Sequence, residues 1–211
     1  MSVRVASSAI KSGQTTLIVC LLLALTLLFQ TKAHAQLIVR TVGRGLDELT
    51  QEAGTIVHGG IVSVKVEPHP QLRNIMTLVV TMDVSDTYKG AAAKTLTFRQ
   101  YVPDLDPQRS ANQYGKGQEV VLFLMPVSEY GLTSPAGLEQ GKFIVLRDAK
   151  GKAVAVNGRN NIGLLQSAAV RAQSQGIQLT PHMASVSNQH KAGPLQLADL
   201  EEAIRTFART K

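Results

Sequence analysis

The chain has 211 residues, of which 44% are apolar, 18% are charged and none is Trp, with a formal net charge of +7. That length suits one domain with extensions, and the apolar fraction excludes a wholly disordered chain. The single cysteine excludes a disulfide-stapled scaffold and any multi-cysteine metal site.

The N-terminus has three zones. Residues 1–16 are polar and carry Arg4 and Lys11. Residues 17–29 form a run of 13, apolar except for Thr26, and residues 30–35 are polar and end in Ala33-His34-Ala35. A basic region, a short apolar region and a small-residue site make a secretory signal peptide. Cleavage is expected after Ala35, leaving Gln36 as the new terminus. The apolar run falls short of the about 20 residues that span a bilayer, so no stable membrane span is expected after cleavage. Cys20 follows Val19 inside the apolar run, whereas a lipid-anchored cysteine would end it, so lipidation is not expected. A cysteine-free mature chain suits a bacterial envelope, periplasmic or secreted. Loss of Arg4, Lys11 and Lys32 leaves 19 Lys and Arg against 15 Asp and Glu, a net charge of +4. The tightest basic cluster, Arg147, Lys150, Lys152 and Arg159, is interrupted by Asp148. Nucleic-acid binding calls for a concentrated basic stripe, so nucleic acid is not an expected partner.

Residues 36–45 read as a lead-in, followed by a short helix over 46–53. Asp47 and Glu48 lie in its first turn, where they suit the helix dipole, and Gly54 stops it. Residues 55–66 are β-branched and interrupted by Gly59-Gly60, which marks a bulge or bend. Residues 75–84 alternate, with Met76, Leu78, Val80, Met82 and Val84 on one face, the period of a half-buried strand. Further strands are predicted over 95–102, 119–125, 137–146 and 153–156. The almost wholly apolar run 119–125 is expected at the centre, buried on both faces. No strand alternates with a long helix, which excludes a doubly wound sheet. The fold expected is mainly β: a small five- or six-stranded OB-like β-barrel over 46–165, with a short leading helix. Long strands broken by Gly favour that closed barrel over a flat sandwich. Residues 166–193, rich in Gln, Ser and Ala, read as a flexible linker with a helical start near 164–173. Within the terminal element 194–211, residues 195–209 are amphipathic, Leu197, Leu200, Ile204 and Phe207 forming one stripe and Glu201 and Arg205 an i,i+4 pair. This helix is expected to pack back on the barrel, its acidic polar face speaking against a membrane surface.

The catalytic constellations with local signatures are missing. There is no G-x-S-x-G elbow, and His58-Gly59-Gly60 without one reads as a bent strand. His58, His69, His182 and His190 show no i,i+4 pairing and no H-E-x-x-H, so each is read as an independent turn or surface histidine. Asp104-Leu105-Asp106 starts like a calcium loop, but Gln108 and Arg109 stand where that loop needs an acid or amide and a glycine. Gly115-Lys116-Gly117 precedes a strand, not a helix, so it offers no phosphate cradle. No catalytic residue, cofactor or metal is therefore expected. The remaining candidates are a binding face around Arg99 with Tyr101, Tyr114 and Tyr130, set against the plainer reading that these rings cap the barrel ends.

The motifs AGTIVHGGIVSV (53–64), YKG (88–90), TLTFRQ (95–100), GQEVVLFL (117–124) and GLEQGKFIV (137–145) together resemble a group of uncharacterised bacterial secreted proteins. More distantly, residues 46–156 resemble the OB-like barrel of netrin-type modules and tissue inhibitors of metalloproteases. Those inhibitors chelate a protease zinc through a mature N-terminal cysteine. Here that terminus is Gln36 and no cysteine survives, so the mechanism does not carry over. The expectation for function is an exported, non-enzymatic binding module whose partner is another envelope or secreted protein. The alternatives are a regulator or inhibitor of a co-secreted hydrolase and, third, an enzyme with an unfamiliar site.

Overall fold

The β-branched run after Gly54 and the alternating run after Ile75 pair along their whole length. In the computed structural model, which describes residues 42–103 and 107–208, they are β1 (Thr55–Pro68) and β2 (Met76–Lys89), antiparallel from Ile56 opposite Lys89 to Pro68 opposite Met76. Residues 1–35, expected to be a signal peptide, and residues 36–41 of the lead-in lie outside the described residues, as does the Asp104-Leu105-Asp106 motif. Among the described residues no helix is long and apolar enough to cross a membrane.

The turn between β1 and β2 is organised by a buried histidine. His69 Nδ1 accepts from the backbone N–H groups of Gln71 and Leu72, which leaves Nε2 to donate to the Tyr130 carbonyl at 2.8 Å. His69 is thus the turn histidine that its Pro-flanked position suggests.

Five further strands complete the sheet: β3 (Thr95–Tyr101), β4 (Glu119–Leu124), β5 (Lys142–Arg147), β6 (Ala153–Asn157) and β7 (Leu195–Gln196). The order is β3-β2-β1-β4-β5-β6-β7, with every pairing antiparallel. The mainly-β class is as expected. The closed barrel is not formed as a ladder: the sheet is open, with β3 and β7 as its edges. The extra strand, β7, comes from the first two residues of the stretch read as one terminal helix. The fifth strand starts later than expected, because residues 138–140 form a 3-10 turn ahead of it. Three register shifts along β1 and β2, between Ile56 and Val57, His58 and Gly59, and Ile61 and Ser63, increase local twist and bend the pair.

Each face of the sheet carries its own core. On one face Val57, Ile61, Leu78, Val80, Met82, Phe98, Val120 and Leu122 gather with the short helix α2 (Pro107–Ala111). On the other, Ile56, Val121, Phe123 and Phe143 meet the remaining helices. β4 supplies both cores from alternate residues, which is why its sequence is apolar throughout.

The helix face is covered by α1 (Leu46–Glu52), α3 (Gln166–Ser174), α4 (Pro181–Gln189) and α5 (Leu197–Ala208). In α1 the Glu48 carboxylate reaches back to the Gly45 N–H at 3.0 Å and pairs with Arg171 of α3. The Gly45 hydrogen bond, and after it Arg171, hold that carboxyl below the usual range. α3 begins where a helical start is expected, and α4 occupies the stretch expected to be a flexible linker. The polar composition there misleads because each helix needs few apolar residues where a ready surface receives it: Ala172 and Met183 enter the core. Thr180 caps α4 by accepting from the Met183 N–H at 3.1 Å, with Pro181 in the first turn. α5 docks within the chain through Leu200, Ala203, Ile204 and Phe207, as its stripe predicts.

α4 and α5 are joined by His182 and Asp199, 2.7 Å apart. The hydrogen bond to Asp199, then its charge, raise the His182 pKa above the ordinary imidazole value of 6.5. A raised folded pKa means the contact stabilises fully below the unfolded value and is lost as pH rises through the folded one. The His182 ring resonance is therefore expected to titrate above 6.5, returning toward that value in Asp199→Asn. A proton NMR titration checks this, and identical midpoints in the two proteins would contradict it.

Candidate functional site

The two sheet edges differ. β7 has two residues, whereas β3 has seven. Lys94 O accepts from Val84 N and Val102 N donates to Met76 O, which sets the parity of the ladder between β2 and β3. Even-numbered residues of β3 turn their backbone groups toward β2, so Thr95, Thr97, Arg99 and Tyr101 turn theirs outward. The loop after β4 reaches this edge at one point, where Thr133 N donates to Arg99 O at 2.8 Å. That loop is braced by Met125 N on Ser134 O and by the Thr133 hydroxyl on Met125 O.

Between the edge and the loop lies a cleft of about 280 Å³, with buried Phe98 and Leu124 at its base and exposed Val127 at its mouth. Thr55, Thr97, Arg99 and Thr133 add polar atoms to an otherwise apolar lining. An open strand edge beside a mixed cleft can hydrogen-bond an extended chain and receive one of its side chains.

Three of the four residues singled out from sequence collect at this edge. Arg99 lines the cleft, but its guanidinium is already engaged by Glu67 Oε1 and the Thr77 hydroxyl, both at 2.7 Å. Tyr101 ends β3 opposite Thr77 and is 48% exposed. Tyr130 sits in the loop, 47% exposed, with its carbonyl held by His69. Tyr114 does not belong to that surface. It is 3% exposed, packs edge-on against Phe98 at 5.9 Å between ring centroids, and donates its hydroxyl to Gln100. Burial raises its phenol above the usual range. Lys142 Nζ lies 4.8 Å over the Tyr114 ring and donates to the Gln113 carbonyl, with burial lowering its ammonium below the usual value. Tyr114 is a core residue because the turn after α2 folds it inward, which local sequence does not announce.

A second constellation has no counterpart in the sequence reading. His58, taken there as part of a bent strand, lies on the helix face of β1 among Glu119 of β4, Asp86 of β2 and Glu201 of α5. The available signal was a lone polar side chain in an apolar strand next to Gly59. Tests of local spacing cannot find it, because the four residues come from four separate elements.

Comparison with protein-family models, with curated proteins and with solved structures finds no match to this chain.

Proposed function

We propose that this chain is an exported, non-enzymatic binding module that takes an extended segment of another envelope or secreted protein along the open edge of β3. The observation that carries the reading is the asymmetry of the edges: one is blunted to two residues, while the other leaves Thr95 and Thr97 turned outward beside a cleft. Long open edges invite strand addition, and chains without a use for them usually cover them. The export half of the reading rests on the three-zone N-terminus. The backbone bond from Thr133 N to Arg99 O, together with the register shifts that bend β1 and β2, supports an OB-like architecture for β1 to β4.

The edge gives a direct test. Linear peptides selected from a displayed library against the full chain are expected to protect the Thr95 and Thr97 amides from hydrogen exchange. Thr97→Pro removes an outward N–H without touching the ladder to β2, a position where Pro is tolerated. It is expected to weaken selected peptides by about tenfold, the loss of one hydrogen bond at roughly 1.4 kcal/mol. Peptides that bind Thr97→Pro as well as the parent would overturn strand addition.

A further inference from the structure

We infer that His58, Asp86 and Glu201 form a site for a divalent transition-metal cation of the zinc type. His58 Nδ1 lies 3.5 Å from Glu201 Oε1 and 3.8 Å from Asp86 Oδ2, and the three ligand atoms lie within 4.8 Å of one another. Two ligands in a tetrahedral shell at about 2.1 Å from the ion stand roughly 3.4 Å apart. Small side-chain movements therefore seat an ion among all three.

The independent observation is the state of His58 Nδ1. The residue is 7% exposed, and this nitrogen is buried with no hydrogen-bond partner. Its other nitrogen, Nε2, lies 2.9 Å from Glu119 Oε1. A ring that donates its Nε2–H to Glu119 presents a lone pair at Nδ1. That lone pair and two carboxylate oxygens then face one point, which is unfavourable without positive charge between them. A carboxylate on the far nitrogen of a histidine is also what holds a ligating ring in one tautomer and orientation.

The surroundings favour a cation. The Tyr88 hydroxyl donates to Glu201 Oε1 at 2.7 Å, Arg205 Nη2 lies 3.5 Å from Glu201 Oε2, and Arg147 Nη2 lies 3.9 Å from Glu119 Oε2. Two arginines against three carboxylates leave the site net negative. The Asp86 side chain is 52% exposed, which gives an ion a way in from solvent. One imidazole nitrogen with two carboxylates suits zinc, whereas calcium takes about six to eight oxygens. The ion would tie β1, β2 and α5 together. This inference is independent of strand addition at β3.

The test is a calorimetric titration of the full chain with zinc chloride at neutral pH. One saturable site is expected, not displaced by excess calcium. His58→Asn, Asp86→Asn and Glu201→Gln are each expected to weaken it by more than about a hundredfold, and Glu119→Gln by about tenfold. His182→Ala, which removes the exposed His182–Asp199 pair, should leave it unchanged. Because a variant can lose its fold instead of a ligand, the wild-type chain supplies a second reading. The His58 Nδ1 nitrogen resonance should move on adding zinc, and that of His182 should not. The inference is overturned if no saturable zinc site exists, or if zinc binding is lost in His182→Ala and kept in His58→Asn. It is equally overturned if the His58 ring carries protons on both nitrogens and ignores zinc, for then the cation between the carboxylates is a proton.

Discussion

Gly59→Ala is expected to destabilise the protein by about 3 kcal/mol, while Gly60→Ala next to it stays within about 0.5 kcal/mol of the parent. Gly59 sits where the pairing of β1 with β2 shifts register, opposite Val84. A Cβ there would overlap the Asp83 carbonyl oxygen and stand 2.9 Å from its carbon and 3.0 Å from the Val84 Cα. Those atoms are backbone, in a strand paired on both sides, since Asp83 also faces Thr95 of β3. They cannot swing aside as a side-chain tip would. At Gly60 a Cβ meets nothing within 4 Å, so that variant controls for glycine's chain entropy. Urea unfolding at unchanged m-value measures the difference. Equal midpoints for the two variants would show that β1 and β2 do not need their close approach at Gly59. The same bulge precedes the alignment of His58 with Asp86, so Gly59 also positions the histidine among its carboxylates.

Phe123→Ala is expected to cost about 4 kcal/mol. Phe123 is fully buried at the centre of the helix-covered core, its ring centroid 5.5 Å from that of Phe143. Both of its backbone groups are held, the N–H donating to Gly141 O at 2.8 Å and the carbonyl accepting from Ala136 N at 2.7 Å. With the strand pinned, the core cannot collapse into the space, and the cavity term adds to the lost transfer energy. A double-mutant cycle with Phe143→Ala should return a coupling of about 1 kcal/mol for the ring pair. Chemical denaturation of the four proteins measures both quantities. A loss below about 2 kcal/mol for Phe123→Ala would mean that the helices repack over the gap.

Much of the fold was legible because its signals are local. Met76 to Val84 alternates because one face of β2 meets the core and the other does not. The apolar run of β4 correctly implied burial on both faces, and Leu200, Ile204 and Phe207 marked the docking face of α5. The start of α3 is legible near 164–173, whereas α4 is not, because its few apolar residues gain their worth only against a surface built by other parts of the chain. β7 was hidden at the head of α5 because two residues have no period. Arg99, Tyr101 and Tyr130 lie near one edge, whereas Tyr114 buries its ring in the core, nearer the plainer expectation of a ring that caps the fold than that of a binding face. His58 was passed over because its three carboxylates lie far along the chain.

By itself the sequence determined the inward face of β2, the double burial of β4, the bend at Gly59 and the docking stripe of α5, since periodicity and glycine act over a few residues. The tertiary structure alone decided that β3 stays an open edge, that the sheet does not close into a barrel ladder, and that His58 meets Asp86, Glu119 and Glu201. Those outcomes depend on which distant segments share a surface, a choice made by packing over the whole chain and by the register of β1 against its two neighbours.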